Sequence, residues 1–335
     1  MRETEYRAML AERRLEPAQI DAAVDAVREM IAFAAEGGET VESMPVEVLK
    51  DHVAGLIAAG TNTDERLVAL ARYVYVADRH DLYVHMLGLI GGRTVLPSIA
   101  ERTAELTGEA TRDAVFAEVP VPPLGSPQSE YPAAVAALLE ALESRVDGQT
   151  VRHILAGNHH RVPREAFLAH KAIYEEQGLD AVLAHRHASL VAELEEHART
   201  GKPWYEQIIT PEVVEMVRAN PEIQAGVRDG EYIYLAKIPY APMEFLRTSD
   251  PKLRRYYQCH CTLARASIVE DVPAVDPLFC YCSAGYEKLA FDVIFDQPVE
   301  VDVLETALAG DERCRFRVRI PEGAPTRVGA PENRD

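Results

Sequence analysis

The chain has 335 residues with 35 Lys and Arg against 54 Asp and Glu, a formal charge of −19. Its 47% apolar and 27% charged residues are the balance of a globular protein, and the length suggests about two domains. So acidic a surface repels a phosphate backbone, and no Lys/Arg-rich stripe interleaved with aromatics occurs, which argues against nucleic-acid binding.

The opening segment MRETEYRAMLAERR mixes charges of both signs and reads as neither a secretory signal nor a transit peptide. From Glu16 to about Glu118 the apolar residues recur at three- and four-residue intervals, as in PAQIDAAVDAVREMIAFAAE and PVEVLKDHVAGLIAAG, which predicts helices. Asp64 to about Gly91 reads as one long, mostly buried helix. Within it the apolar stretch Leu82 to Gly92 is far short of the roughly 20 residues that a membrane span needs. No membrane partner and a cytoplasmic location are therefore expected.

Val119 to Pro132 holds five prolines in fourteen residues and reads as a linker. Helices resume over Ala133 to Arg145, Glu165 to Glu176 and Leu179 to Arg199. Thr210-Pro211-Glu212 and Asn220-Pro221-Glu222 each place a cap before a first-turn proline, so a short helix is predicted at both. Glu231 to Ile238 is β-branched and aromatic, and predicts a strand. Ala284 to Phe295 predicts a helix with Ser283 as its cap. Val299 to Ala307 and Arg313 to Ile320 alternate around Ala309-Gly310-Asp311-Glu312 and predict a hairpin. The tail after Pro321 is expected to fray.

All five cysteines lie in the last quarter: Cys259 and Cys261 in CHC, Cys280 and Cys282 in CYC, then Cys314. In a reducing compartment such clustering points to metal binding or thiol chemistry more than to disulfides. Cysteines two apart in an extended segment face one side about 6.6 Å apart, whereas on a helix they would splay. A turn centred on Gly310-Asp311 sets Cys314 across from Ala307 and diagonal to Glu305 on the same face. Thiolate-rich surroundings select zinc first, with iron or an iron–sulfur cluster behind it. Buried, inert thiols or a reversible CxC dithiol are the alternatives.

The stretch FCYCSAGYEKLAFDVIFDQPVEVDVLETALAGDERCRFRVRIP resembles the small-molecule-binding domain named after 4-vinyl reductase, including the L-2-amino-thiazoline-4-carboxylic acid hydrolase-like proteins. Shared are a Cys before a Gly-aromatic helix start, an acidic strand residue, and a Gly-Asp-x-x-Cys-x-Phe turn. By its phenol-sensing members the resemblance implies zinc ligands at Cys282, Glu305 and Cys314. Their further strand cysteine falls near Leu308, so Cys280, Cys259 or Cys261 would take its place. The wider stretch from WYEQIITPEVVEMVRANPE through RRYYQCHC is similar to part of bacterial proteins of unassigned function that carry this C-terminus.

Other candidates stand beside plainer readings. Lys237 falls on the apolar face of Ile233 and Leu235, where desolvation would lower its pKa and suit it to an electrophile clamp or amine base; the alternative is a lysine snorkelling to water. Tyr240 offers a phenol near it. Asn158-His159-His160 sits in a loop where an imidazole can serve as base, with His160 or His260 moving protons. Trp204 reads as pocket lining beside Tyr205, or as core. Arg254 and Arg265 flank CHC and suit an anionic substrate, or surface salt bridges. No HExxH, phosphate-loop or GxSxG pattern is present.

The sequence thus predicts an α+β protein: an all-helical domain over residues 1–130, and over residues 131–330 a small antiparallel sheet flanked by helices, as the resemblance implies. The function expected is that of a small-molecule enzyme, hydrolytic toward a C–N or C–S bond, beside a cysteine-rich zinc site. A non-catalytic ligand-binding or sensor protein with structural zinc and a dithiol oxidoreductase are the alternatives. Its partner would be a small, anionic molecule, and a homodimer is the assembly kept open.

Overall fold

The computed structural model describes residues 1–325 and is an α+β protein, mostly helical with a four-stranded antiparallel sheet. Residues 326–335, part of the tail expected to fray, lie outside the described residues. Two compact units divide the chain: Met1–Arg93 with Val121–Tyr131, and Thr94–Pro120 with Pro132 onward. The helical region expected to run to residue 130 is therefore shared, because Thr94–Pro120 packs with the C-terminal unit.

In the first unit, α1 (Glu3–Glu12), α2 (Pro17–Glu36), α3 (Val46–Ala58), α4 (Asp64–Val76) and α5 (His80–Ile90) surround a core of Val24, Val27, Met30, Leu49, Leu67, Leu70, Tyr73 and Leu82. The single helix expected over Asp64 to Gly91 is two. Asp78 takes a left-handed φ of 57°, the Arg79 amide bonds back to the Val74 carbonyl and the Asp78 amide to that of Tyr75, a helix-ending motif that aspartate tolerates. Unbroken apolar periodicity hid the stop. Among the described residues no helix is long and apolar enough to cross a membrane.

The second unit contains α6 (Val95–Thr107), α7 (Glu109–Phe116), α8 (Tyr131–Glu143, whose first residue groups with the first unit), α9 (Gly148–Leu155), α10 (Leu168–Gln177), α11 (Leu179–Thr200) and α12 (Pro211–Ala219). Strands β1 (Val227–Asp229) and β2 (Tyr232–Ala236) follow, then α13 (Pro242–Arg247), α14 (Pro251–Gln258), α15 (Ala266–Val269), α16 (Tyr281–Ile294), β3 (Val301–Glu305) and β4 (Arg315–Arg319). The order across the sheet is β1-β2-β4-β3, with Leu235 opposite Phe316 and Ile233 opposite Val318. All four are wholly buried: Ile233, Leu235 and Val318 pack with Phe291 and Ile294 of α16 and with Val182 of α11, and Phe316 with Ala284, Ala307, Cys259 and Cys314. Each such side chain contributes roughly 1.5–3 kcal/mol of transfer free energy. The opposite face is charged: Arg315 pairs with Glu222 and Arg317 with Asp302.

Three local expectations are corrected. Asn220-Pro221-Glu222 starts no helix, since the Asn220 side chain accepts from the Glu222 amide and turns the chain toward β1. The helix expected from Ala284 begins at Tyr281, after a 3₁₀ turn over Pro277–Cys280 that Asp276 caps through the Leu278 amide. The β3–β4 ladder carries an irregularity between Val303 and Glu305, which sets Glu305 against Arg315.

Candidate functional site

The site is built on the end of β2. The strand alternation that buries Ile233 and Leu235 gives way to a buried run, Ala236-Lys237-Ile238. The Lys237 amide donates to the Cys314 carbonyl at 2.9 Å. Its carbonyl accepts from Gln258 Nε2, and the Ile238 carbonyl accepts from His260 Nε2 at 2.6 Å. Lys237 Nζ lies 3.4 Å from Glu287 Oε1, with side chains 7% and 3% exposed, and 4.8 Å from the centre of the Tyr286 ring. The lysine does not snorkel. Burial alone would lower its pKa, as expected from sequence, but the Glu287 carboxylate, the Tyr286 phenol and Cys314 outweigh it, so the pKa is raised and Lys237 is a fixed cation. Glu287 Oε1 makes no hydrogen bond.

Helix α16 supplies Cys282, Tyr286 and Glu287, and Gly285 sets its position. A Cβ there would meet Ala156 C and Gly157 O at 2.5 Å, so only glycine allows α16 this close to the end of α9. The contact carries in the loop Asn158-His159-His160. His159 is buried, with Nδ1 3.1 Å from Ser98 Oγ and Nε2 2.8 Å from the Ile154 carbonyl. Asn158 clamps the amide and carbonyl of Val162. Of the two histidines, then, His159 holds the loop and His160 is presented, its ring edge-on to Tyr286 at 5.5 Å. Burial, with Lys237 and His159 beside it, lowers the pKa of His160 to about 4, so the imidazole is neutral at pH 7.

Several side chains combine accessible surface with dense surroundings. His160, Tyr205 and Tyr286 are exposed, and Glu206, Arg186, His260, Cys261 and Cys280 half-exposed, yet burial is the largest cause of every one of their pKa shifts. They cluster electrostatically around the buried pair: Lys237 acts on His160, Glu206, His260, Cys261 and Tyr286, and Glu287 acts on Arg186 and Tyr286. Glu206 is raised by burial, against the opposing pull of Arg265 and Lys237. His260 is lowered to about 3, by burial first and Lys237 next. Tyr240 is pushed up to about 12 by burial, its ring under the Arg265 guanidinium at 4.0 Å and edge-on to His260 at 5.6 Å.

All five cysteines are free thiols. Cys259 feels Cys314 and Cys261, Cys280 feels Cys314, Cys259 and Cys261, and Cys261 feels Cys282. Because CYC sits at a helix start rather than in an extended segment, its two thiols splay: Cys280 joins Cys259 and Cys314, while Cys282 turns toward Lys237. Burial pushes Cys261 and Cys282 up to about 12 and raises the other three, so each is a neutral thiol. Cys314 faces Ala307, whose amide bonds it. Glu305 does not join them. Its carboxylate binds Arg313 at 2.6 and 2.8 Å. Among the described residues no group of three or more His, Cys, Asp or Glu side chains is arranged to hold a metal ion.

Trp204 is core, 9% exposed, its indole N–H donating to Glu193; Tyr205, at a left-handed φ of 50°, is the ring that meets the site. Arg254 covers the Phe245 ring at 4.2 Å and bonds the Phe245 carbonyl, apart from the site groups. Sequence reasoning missed Glu287, Tyr286, Glu206 and Arg186. For Glu287 a signal existed. It falls on the helical stripe Ala284, Phe291, Ile294, all buried, as a charged residue at a core position.

Residues 241–324 match the model of a family of unknown function (DUF6144), about a quarter of the chain. Neither the curated proteins nor the solved structures yield a match.

Proposed function

We propose that this chain is a small-molecule enzyme that hydrolyses a C–N or C–S bond in an anionic substrate. The observation that carries the reading is the Lys237–Glu287 pair, buried behind accessible His160, Tyr286 and Glu206. A buried ion pair seldom repays its desolvation in stability, and clustered titratable groups with perturbed pKa values concentrate where chemistry occurs. The resemblance to the 4-vinyl-reductase type of domain supports the same class.

Lys237 and Arg265 attract the substrate anion. Neutral His160, whose ring nitrogens bond no other described residue, takes a proton from water as the water oxygen bonds to the substrate carbon. The C–N or C–S bond breaks, and the leaving nitrogen or sulfur takes a proton from Glu206, which burial makes the better donor. Tyr286 steadies the charge that develops. Solvent then returns the proton from His160 to Glu206. Five unpaired thiols suit a reducing compartment such as the cytoplasm.

The probe is 2-amino-thiazoline-4-carboxylate, which carries both bonds and a carboxylate, followed by ¹H NMR. Turnover that falls roughly 100-fold or more in His160→Ala and in Lys237→Met supports the assignment. No turnover, or a rate unchanged in His160→Ala, overturns it.

The mutual proximity of the thiols favours a second reading, a ligand-binding protein whose cysteines hold zinc. As they are arranged the donors do not form a metal group, and no step above passes through an ion. Metal analysis of the protein beside Cys282→Ser and Cys314→Ser tests it: zinc lost in both variants supports this reading, and full occupancy in both removes it.

A further inference from the structure

The N-terminal unit holds a cavity of about 560 Å³ between the start of α2 and the first half of α4. That volume is in the range of small-molecule sites. Its wall is apolar at Leu15, Ala23, Ala26, Val68 and Ala69, and mostly charged elsewhere.

The charges are unevenly satisfied. Glu29 is bound by Arg66, Asp64 by Arg93 at 2.5 Å and Asp25 by Arg28 at 3.1 Å. Arg72, half-buried, lines the same cavity and makes no hydrogen bond or ion pair with any described residue. Burial first, then Arg13 and Arg93, lowers its pKa against the opposing pull of Tyr6 and Asp64. Arg66 Nε is buried without a partner. Arg14, held at a left-handed φ of 61°, also reaches the cavity with an unpaired guanidinium. A half-buried guanidinium without an ion-pair partner leaves its N–H donors free for an anion that enters the cavity.

We propose that this cavity binds a small organic carboxylate with an apolar body, its carboxylate on Arg72 and its body along Leu15, Ala23, Ala26 and Val68. A guanidinium offers two parallel N–H donors to a carboxylate. A phosphate dianion fits less well, because Asp25, Glu29, Asp64 and Glu65 also line the site and repel the second charge. The inference is independent of the Lys237 site, which belongs to the other unit.

The experiment titrates the full chain with octanoate, octan-1-ol and octyl phosphate by calorimetry, in the native protein, Arg72→Met, Ala22→Trp and Lys237→Met. Arg72 has no hydrogen bond or ion pair to lose, and retention of the far-ultraviolet circular dichroism spectrum is checked for each variant; Ala22 is exposed at the wall, so its enlargement fills the cavity from outside. Saturable octanoate binding is expected, weakened at least tenfold in Arg72→Met and in Ala22→Trp, unchanged in Lys237→Met, and tighter than that of octan-1-ol or octyl phosphate. No octanoate binding, equal binding of octan-1-ol, tighter binding of octyl phosphate, or a loss confined to Lys237→Met overturns it.

Discussion

Replacing either member of the Lys237–Glu287 pair tests how this site is held. At 3.4 Å, with an effective dielectric constant of 20, the attraction is about 5 kcal/mol. Lys237→Met leaves a carboxylate 3% exposed without its cation, and Glu287→Leu leaves an ammonium 7% exposed without its anion; each is expected to cost about 3–5 kcal/mol. The double variant removes both charges and substitutes apolar bulk, so it should recover most of that loss, with a coupling energy above about 2 kcal/mol. The assay is urea unfolding followed by fluorescence of Trp204, the only tryptophan, which lies in the same unit as the pair and therefore reports that unit alone. Single variants that each cost under about 1 kcal/mol, with additive effects in the double, would refute the reasoning. The two groups would then be solvated rather than sealed.

Three further outcomes are expected. Gly285→Ala forces a methyl onto the Ala156–Gly157 backbone and should destabilise the unit by about 1–3 kcal/mol in the same assay; no change in the urea midpoint would mean that α16 and the His160 loop are not in contact. Because burial lifts Cys261 and Cys282 from 9.0 to about 12, their thiolate fraction at pH 8 is about a thousandfold below that of a free cysteine, so iodoacetamide should label them that much more slowly until urea is added. Fast labelling of the folded protein would show that these thiols are ionised. His159, buried and lowered chiefly by desolvation, stays neutral in the folded state while the unfolded chain takes a proton below about pH 6.5. Stability is therefore fully present above that pH and lost as pH falls toward the lowered folded value; His159→Gln should flatten this slope, and an identical pH profile would remove His159 as its source.

The sequence disclosed those features whose cause is local. The β3–β4 pairing, β2, the helix after Thr210, the clustering of the thiols and the inward position of Lys237 all follow from alternation, turn residues and composition. What stayed hidden depends on distant partners or on a single dihedral. Glu287 stands out locally as a charge on the buried stripe of α16, but its role needs Lys237, which arrives from β2. The left-handed Asp78 breaks a helix that its neighbours would continue. One irregular step near Leu304 turns Glu305 toward Arg313 and away from the thiol with which simple pairing had grouped it. The splaying of Cys280 and Cys282 needed only the start of α16 to be placed three residues earlier.

The peptide unit bearing Lys237 is fastened on both sides to cysteine-bearing segments, by its amide to the Cys314 carbonyl and by the carbonyls of Lys237 and Ile238 to the side chains that flank Cys259. Three hydrogen bonds thus set where the ammonium stands relative to Glu287 from the same segments that carry the thiols.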